Sequence, residues 1–333
     1  MALFGKQRND GNLIDDGYPI QHIMPYVMKG RNESTVYLKK TIDIENVRKY
    51  VRKQRRAGKR ITVFNVVVTA VLCTIYRRPH LNRFIAGRRM YEHKVIDVLY
   101  VVKRDLTDEA EESIAKVVLS PEDNIFTVAE KMSRNIEIIQ KELEEKKDDK
   151  FMSFLQKLPR WTLRSIVSIV RWLDFHGILP AKVQDSIPLY STVYLSHIGS
   201  LGAEAPFHHL YEFGTTSLFI TVGKFYDQPR KAKDGSVEWY RAVDLMFTVD
   251  ERICDGFYLI KSLRLLEDYL INPESMEISP AESERREKEA NMAKKKQQEQ
   301  EKAEKAELFV NEPVLDEGSD LANDESDLAT DLS

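Results

Sequence analysis

The sequence predicts an α/β protein with a charged tail, and three observations carry that expectation. Between residues 34 and 272, runs of period-two alternation take turns with helical patterns, the order expected when helices cover a sheet. Asp234-Gly235 stands between two alternating runs, a strong hairpin signal. Beyond Pro273 the apolar periodicity stops and charged helix formers take over.

Residues 1–30 contain Gly, Pro and Asp with weak periodicity and read as an irregular lead-in. "STVYLKKTID" (34–43) is strand-like, and "IENVRKYVRKQRRAG" after it is a basic helix ending at Gly58. "VFNVVVTAVLCTIYRR" (63–78) is apolar almost all round and predicts a buried helix despite its β-branched residues, stopped by Pro79. "KVIDVLYVVKRDL" and "ESIAKVVLS" predict two strands, and residues 126–147 a long helix with a charged face. Strands resume with "LYSTVYLSHIG", "SLFITVGKFY" and "SVEWYRAVDLMFTVD", and a helix from Gly256 to about Leu270 closes the body. Residues 273–333 read as an acidic, mostly disordered tail with little to bury.

In residues 151–180, Trp161, Ile166, Ile169, Val170 and Leu173 form an apolar stripe flanked by Arg160, Arg164 and Arg171. Such a helix can lie on a membrane surface, but core helices share the pattern. Packing against the protein's own body or a neighbouring subunit is therefore the expectation.

The 333 residues suffice for one large domain or two ordinary ones, and a hydrophobic content of 42% marks a globular chain. The formal net charge of -3 hides an asymmetry: residues 277–333 carry 17 acids and 8 bases, so the body before them is mildly basic. Two cysteines, Cys73 and Cys254, exclude a disulfide framework and fit a reducing compartment. The N-terminus has no apolar signal region and no apolar run is long enough to span a bilayer, so a cytoplasmic protein is expected. The basic run at 48–60 lacks interleaved stacking aromatics and reads as a solvated helix face rather than a nucleic-acid site, although it is also a place to meet coenzyme A phosphates. His208 and His209 share no spacing with a carboxylate or cysteine, so no metal site is expected.

The most informative position is Glu251. Val243, Leu245, Phe247 and Val249 alternate with Ala242, Asp244, Met246 and Thr248, and one further step puts Glu251 on the apolar face. A carboxylate aimed at apolar surroundings is costly unless paired, protonated or needed. The stretch "VDERICDGFYLIKSL" resembles the final motif, His-x-x-x-Asp-Gly, of the chloramphenicol acetyltransferase superfamily, which includes the catalytic domains of dihydrolipoyl acyltransferases from 2-oxo acid dehydrogenase complexes. Asp255 and Gly256 match, Cys254 and Phe257 resemble the acetyltransferase version, and Glu251 holds the histidine position. Upstream, "VYLSHIGSLG" is similar to that family's Ile-Ser-Asn-Leu-Gly-x-x-Gly stretch, with Ser196, Gly199 and Gly202 in register. "FITVGKFYDQ" resembles the strand before the last hairpin, and "VMKGRNESTVYLKKTIDI" the opening helix and first strand.

The resemblance implies a two-layer sandwich with a mixed β-sheet, a catalytic domain over residues 31–272 and a helical insertion at about 148–187. It implies homotrimers whose active-site channels lie between subunits. The lead-in leaves no room for lipoyl or subunit-binding modules, so a stand-alone relative without a lipoyl attachment domain is expected.

In that family the histidine is general base on a thiol of coenzyme A or dihydrolipoamide, and a Ser or Thr hydroxyl supports the tetrahedral oxyanion. By position Glu251 becomes the altered base and Ser196 the oxyanion donor. Asp255 takes the structural role of pairing with an arginine from the first segment, for which Arg31 is the candidate; Arg252, or capping of the following helix, is the alternative. His197 adjoins the serine as a substitute base, although alternation sends it to the opposite face. Replacing a base of pKa near 6.5 by a glutamate near 4.3 costs about 3 kcal/mol against a thiol of about 8.5, roughly a hundredfold in rate. The expected function is an acyltransferase acting on an acyl thioester such as acyl-coenzyme A. The alternative is a non-catalytic ligand-binding or scaffold member of the same family.

Overall fold

The computed structural model describes residues 8–15, 18–103, 112–144 and 158–310. The far end of the strand expected after Lys94, the end of the helix expected to reach 147, residues 151–157 of the amphipathic segment and the tail beyond 310 lie outside them.

The body holds a six-stranded mixed sheet in the order β2-β9-β8-β7-β5-β6. Its strands are β2 (Thr35–Asp43), β5 (Ile96–Lys103), β6 (Glu112–Leu119), β7 (Val193–His197), β8 (Leu218–Lys231) and β9 (Val237–Asp250). β7 runs parallel to both β5 and β8, while the remaining pairs are antiparallel. Four helices cover one face: α2 (Glu45–Arg56), α3 (Val63–Arg77), α4 (Ile125–Glu144) and α7 (Gly256–Ile271). Burying that face against them makes the two-layer sandwich.

α3 is the central helix. Its residues 65–75 are all buried, as a helix apolar on every side requires. Thr62 and Asn65 form a reciprocal capping box at its start, and the Thr69 and Thr74 hydroxyls return to carbonyls one turn back. α2 buries Val47, Tyr50, Val51 and Gln54 and turns Arg52, Lys53, Arg55 and Arg56 to solvent. The basic run is thus a helix face, as its spacing predicts.

The β8–β9 hairpin forms at the expected place: Gly235 takes φ +88° and the Asp234 carboxylate accepts from the Ser236 amide. A bulge interrupts its register between Val222 and Phe225. There the loop after β7 presses against the sheet, and a Cβ on Gly199 would stand 2.1 Å from the Gly223 carbonyl oxygen. No side chain fits that approach.

Three elements escape the sequence patterns. A second sheet, β1-β4-β3, joins Gly11–Leu13, Arg89–His93 and Arg83–Ala86. β3 and β4 turn through Gly87 and Arg88, both with positive φ, which matches the twist of a two-residue hairpin. The lead-in contains β1 and the helix α1 (Pro19–Val27), so it is less irregular than its composition suggests. α5 (Arg160–Phe175) buries none of its residues, and Trp161 and Trp172 are 72% and 53% exposed. Packing of this stripe on the chain's own body is therefore not what the fold contains. The helix is held at its end instead, where Arg8 donates to both the Asp174 carboxylate and its carbonyl. A short helix, α6 (Ala181–Asp185), follows.

The body continues past Pro273 to Ser283, because Met276 is fully buried and Glu277 accepts from Gln54. From Glu284 onward the chain is a unit of its own, within the helix α8 (Pro280–Val310). Helix formers and pairs such as Glu284–Lys288 support α8 without a core.

Gly199→Ala is expected to lower stability by about 1–3 kcal/mol, read from urea unfolding, because the methyl group displaces the loop from the bulge.

Candidate active site

Strand β9 ends at Asp250, one residue before alternation would carry Glu251 inside. Asp250 Oδ1 accepts from the Arg252 amide at 3.1 Å and from its Nε at 2.8 Å, and Oδ2 accepts from Nη2 at 2.7 Å. Both side chains are sealed, at 0% and 3% exposure. Arg252 Nη1 also donates to the Met28 carbonyl, tying the turn to the segment after α1. With the acid at 250 and the base at 252 both drawn inward, the residue between them points out. Glu251 is solvent-exposed and donates its backbone N–H to the Ser34 carbonyl. The expectation that it faces the apolar wall is corrected: the chain turns where the ion pair forms.

Asp255 and Arg31 do not pair. The Asp255 carboxylate is exposed and accepts from the Tyr258 amide at 2.7 Å, the N-cap of α7. Arg31 is buried and donates Nη1 to the Tyr211 carbonyl and Nη2 to the Ile85 carbonyl. Arg252, the alternative arginine, is committed to Asp250 rather than Asp255. Gly256 opens the helix at a position where an added Cβ would meet nothing, so no close approach requires glycine there. Cys254, two residues before it, is buried, and burial pushes its thiol up to about 12, as it does for Cys73. Neither is a nucleophile near neutral pH.

Farther along the sheet, β7 separates Ser196 from His197 as alternation demands. Val193 and Leu195 belong to the helix-covered core, while Tyr194 packs on the opposite face with Phe219 and Leu210. Ser196 shares the Tyr194 face and is half-buried, in register with Thr221, whose hydroxyl donates to the Pro206 carbonyl. His197 points the other way and stacks on Phe64 of α3, with ring centroids 5.3 Å apart. Burial lowers its pKa, which keeps the imidazole neutral. His208 stacks on Phe219 and on His209, and each Nδ1 faces a neighbouring backbone carbonyl. Among the described residues no cluster of His, Cys, Asp or Glu has a metal-binding arrangement.

Within one chain, Ser196 and Glu251 are far apart. The ladder places Ser196 opposite Thr221, and Thr221 opposite Met246. From Met246 to the strand end at Asp250 is about 13 Å at the usual rise per residue, with Glu251 beyond. A site using both must be assembled from two chains.

The pairing of Asp250 with Arg252 was missed by sequence reasoning, which named both Arg31 and Arg252 but gave each a different partner. The signal for the pair is an acid and a base two apart in "DER", weak because such spacing is ordinary on surfaces.

No family model matches the sequence, and no curated protein matches it. Solved structures do. A probable dihydrolipoamide acetyltransferase from Listeria monocytogenes is 16% identical, with a TM-score of 0.50 over 77% of this chain and 94% of that one. The cubic core of the pyruvate dehydrogenase multienzyme complex is 14% identical, with a TM-score of 0.51 over 79% and 94%. The dihydrolipoamide acetyltransferase of Azotobacter vinelandii gives the same identity, coverage and score.

Two substitutions separate the roles of the loop's ionic groups. Asp255→Ala is expected to cost about 1 kcal/mol, a lost cap. Arg252→Met, which strands a buried carboxylate, is expected to cost about 3–5 kcal/mol, both read by urea unfolding. On the sheet order, the helix layer and these matches, the chain has the chloramphenicol acetyltransferase-like fold found in dihydrolipoamide acetyltransferase cores.

Proposed function

We propose that the protein is an acyltransferase that moves an acyl group to or from a thiol such as that of coenzyme A, in a homotrimer whose active sites lie between copies. The observation that carries this reading is the acyltransferase-core fold together with the separation of Ser196 from Glu251, which lies past the end of β9 and four or more residues along the ladder from the level of Ser196. Two chains packed side by side can bring one chain's Glu251 to the other's Ser196. The exposed apolar side chains of α1, Ile20, Ile23 and Val27 among them, give such packing surface to bury.

In this reading the Glu251 carboxylate accepts the thiol proton. The thiolate attacks the acyl carbon, and the Ser196 hydroxyl donates to the tetrahedral oxyanion. Collapse expels the other thiolate, which takes the proton back from Glu251. Exposure in the single chain leaves the carboxylate free to enter a partner's channel.

A cavity of about 420 Å³ between the α2–α3 junction and α4 suits coenzyme A itself. Arg55, Lys59 and Arg60 rim it, as phosphates require, and Phe64, Met132 and Ile136 line it, as a pantetheine chain requires. The apolar wall includes the ring on which His197 stacks.

The second reading, a non-catalytic member acting as a ligand-binding or scaffold protein, is favoured by the position of Glu251 outside the apolar face. The two are separated by thiol release from acetyl-coenzyme A and longer acyl-coenzyme A substrates. Turnover that Glu251→Gln reduces about a hundredfold or more, with the melting temperature unchanged, is the result expected of the acyltransferase. Turnover unaffected by that change refutes Glu251 as the base, and no turnover from the native protein selects the second reading.

A further inference from the structure

A cleft of about 440 Å³ opens where the end of α1, the β3–β4 turn, the end of α5 and the segment 212–214 meet. Five cationic side chains line it: Lys29, Arg31, Arg88, Arg171 and Arg252. The two carboxylates beside them are already engaged. Asp174 is held by Arg8, and Glu212 accepts the backbone N–H groups of Arg31 and Asn32. Arg252 has its own carboxylate in Asp250.

Arg31 does not. It is 4% exposed, its two terminal nitrogens donate to neutral carbonyls, and its Nε is buried without a partner. A buried guanidinium with a donor unmet and no carboxylate bonded to it is costly, and burial, with the nearby Arg252 charge, disfavours its protonated form by more than the attraction of Asp250, Glu212 and Asp174 restores. An anion in the cleft offsets the uncompensated charge.

The remaining surface defines what carries the charge. Pro25, Ile85, Phe175 and Phe213 supply apolar walls. At the rim the Arg88 guanidinium stands over Tyr26 and that of Arg171 over Phe213. Arg88 reaches this position from a positive φ of 59°, uncommon for a residue with a side chain. Gly87 beside it lies so close to the Phe175 carbonyl that a Cβ would stand 2.2 Å away, which fixes the turn against the end of α5.

We propose that this cleft binds an organic oxyanion, a phosphate or carboxylate group on an apolar body, with Arg31 and Arg252 at its floor and Arg88 and Arg171 closing on it from the rim. Guanidinium groups suit both oxyanions through paired N–H donors. The site involves neither Glu251 nor Ser196 and stands whether or not the protein transfers acyl groups.

Calorimetric titration of the full chain with phenyl phosphate, phenylacetate and inorganic phosphate tests it. Saturable, salt-sensitive binding of phenyl phosphate or phenylacetate is expected, tighter than that of inorganic phosphate, and whichever aromatic probe binds names the oxyanion. Because Arg31 variants risk misfolding, the decisive variant is Arg88→Ala/Arg171→Ala, built on exposed side chains. It is expected to bind about tenfold or more weakly with an unchanged melting temperature. Failure of both aromatic probes to bind the native protein, or equal affinity in the double variant, overturns the proposal.

Discussion

The ion pair between Asp250 and Arg252 is the constraint on which the rest of this end of the molecule depends. Removing two charges from water is expensive, and the pair recovers that cost only because its geometry is complete. Asp250 accepts three hydrogen bonds from one residue, and Arg252 donates from its other terminal nitrogen to the Met28 carbonyl. That last bond joins the final strand of the chain to its first segment. Glu251 is trapped between two inward-facing neighbours and has only solvent to face. The same pair engages the Asp250 carboxylate, whose charge attracts Arg31 without a bond to it, and Arg31 keeps a buried, unmet donor beside the cleft.

The sheet then keeps the two candidate residues apart within one chain. Ser196 lies at the end of β7, held in place by the loop that Gly199 lets down onto the β8 bulge. Glu251 lies past the end of β9, beside the first segment. Parallel pairing of β7 with β8 and antiparallel pairing of β8 with β9 set Ser196 level with Met246, four residues short of the end of β9 at Asp250.

Much of this was legible in the sequence, and the failures have physical reasons. Alternation in 193–197 predicts correctly that Ser196 and His197 part to opposite faces, and the apolar run at 63–78 predicts the buried α3. The Asp234-Gly235 turn is where its chemistry places it. Alternation failed at Glu251 because periodicity describes a strand only while the strand lasts, and a salt bridge two residues long ended it. The motif resemblance located the loop but misassigned Asp255, since capping a helix and clamping an arginine demand the same carboxylate. The β3–β4 hairpin was missed because its turn uses Gly-Arg, and Arg88 is not a residue that announces a positive φ. Of the two covers expected for the stripe of α5, the chain's own body is not one, because an apolar stripe says what a face avoids, not what covers it.

The central claim, that Glu251 and Ser196 form one site only across two chains, has a direct measurement. Glu251→Gln and Ser196→Ala proteins are prepared separately, mixed, and allowed to exchange subunits before thiol release is assayed. Each alone should be inactive, and the mixture should recover up to about a quarter of native turnover, because that fraction of interfaces in a symmetric assembly pairs two intact residues. A mixture as inactive as its parents, after exchange has been verified by mass, would contradict the account.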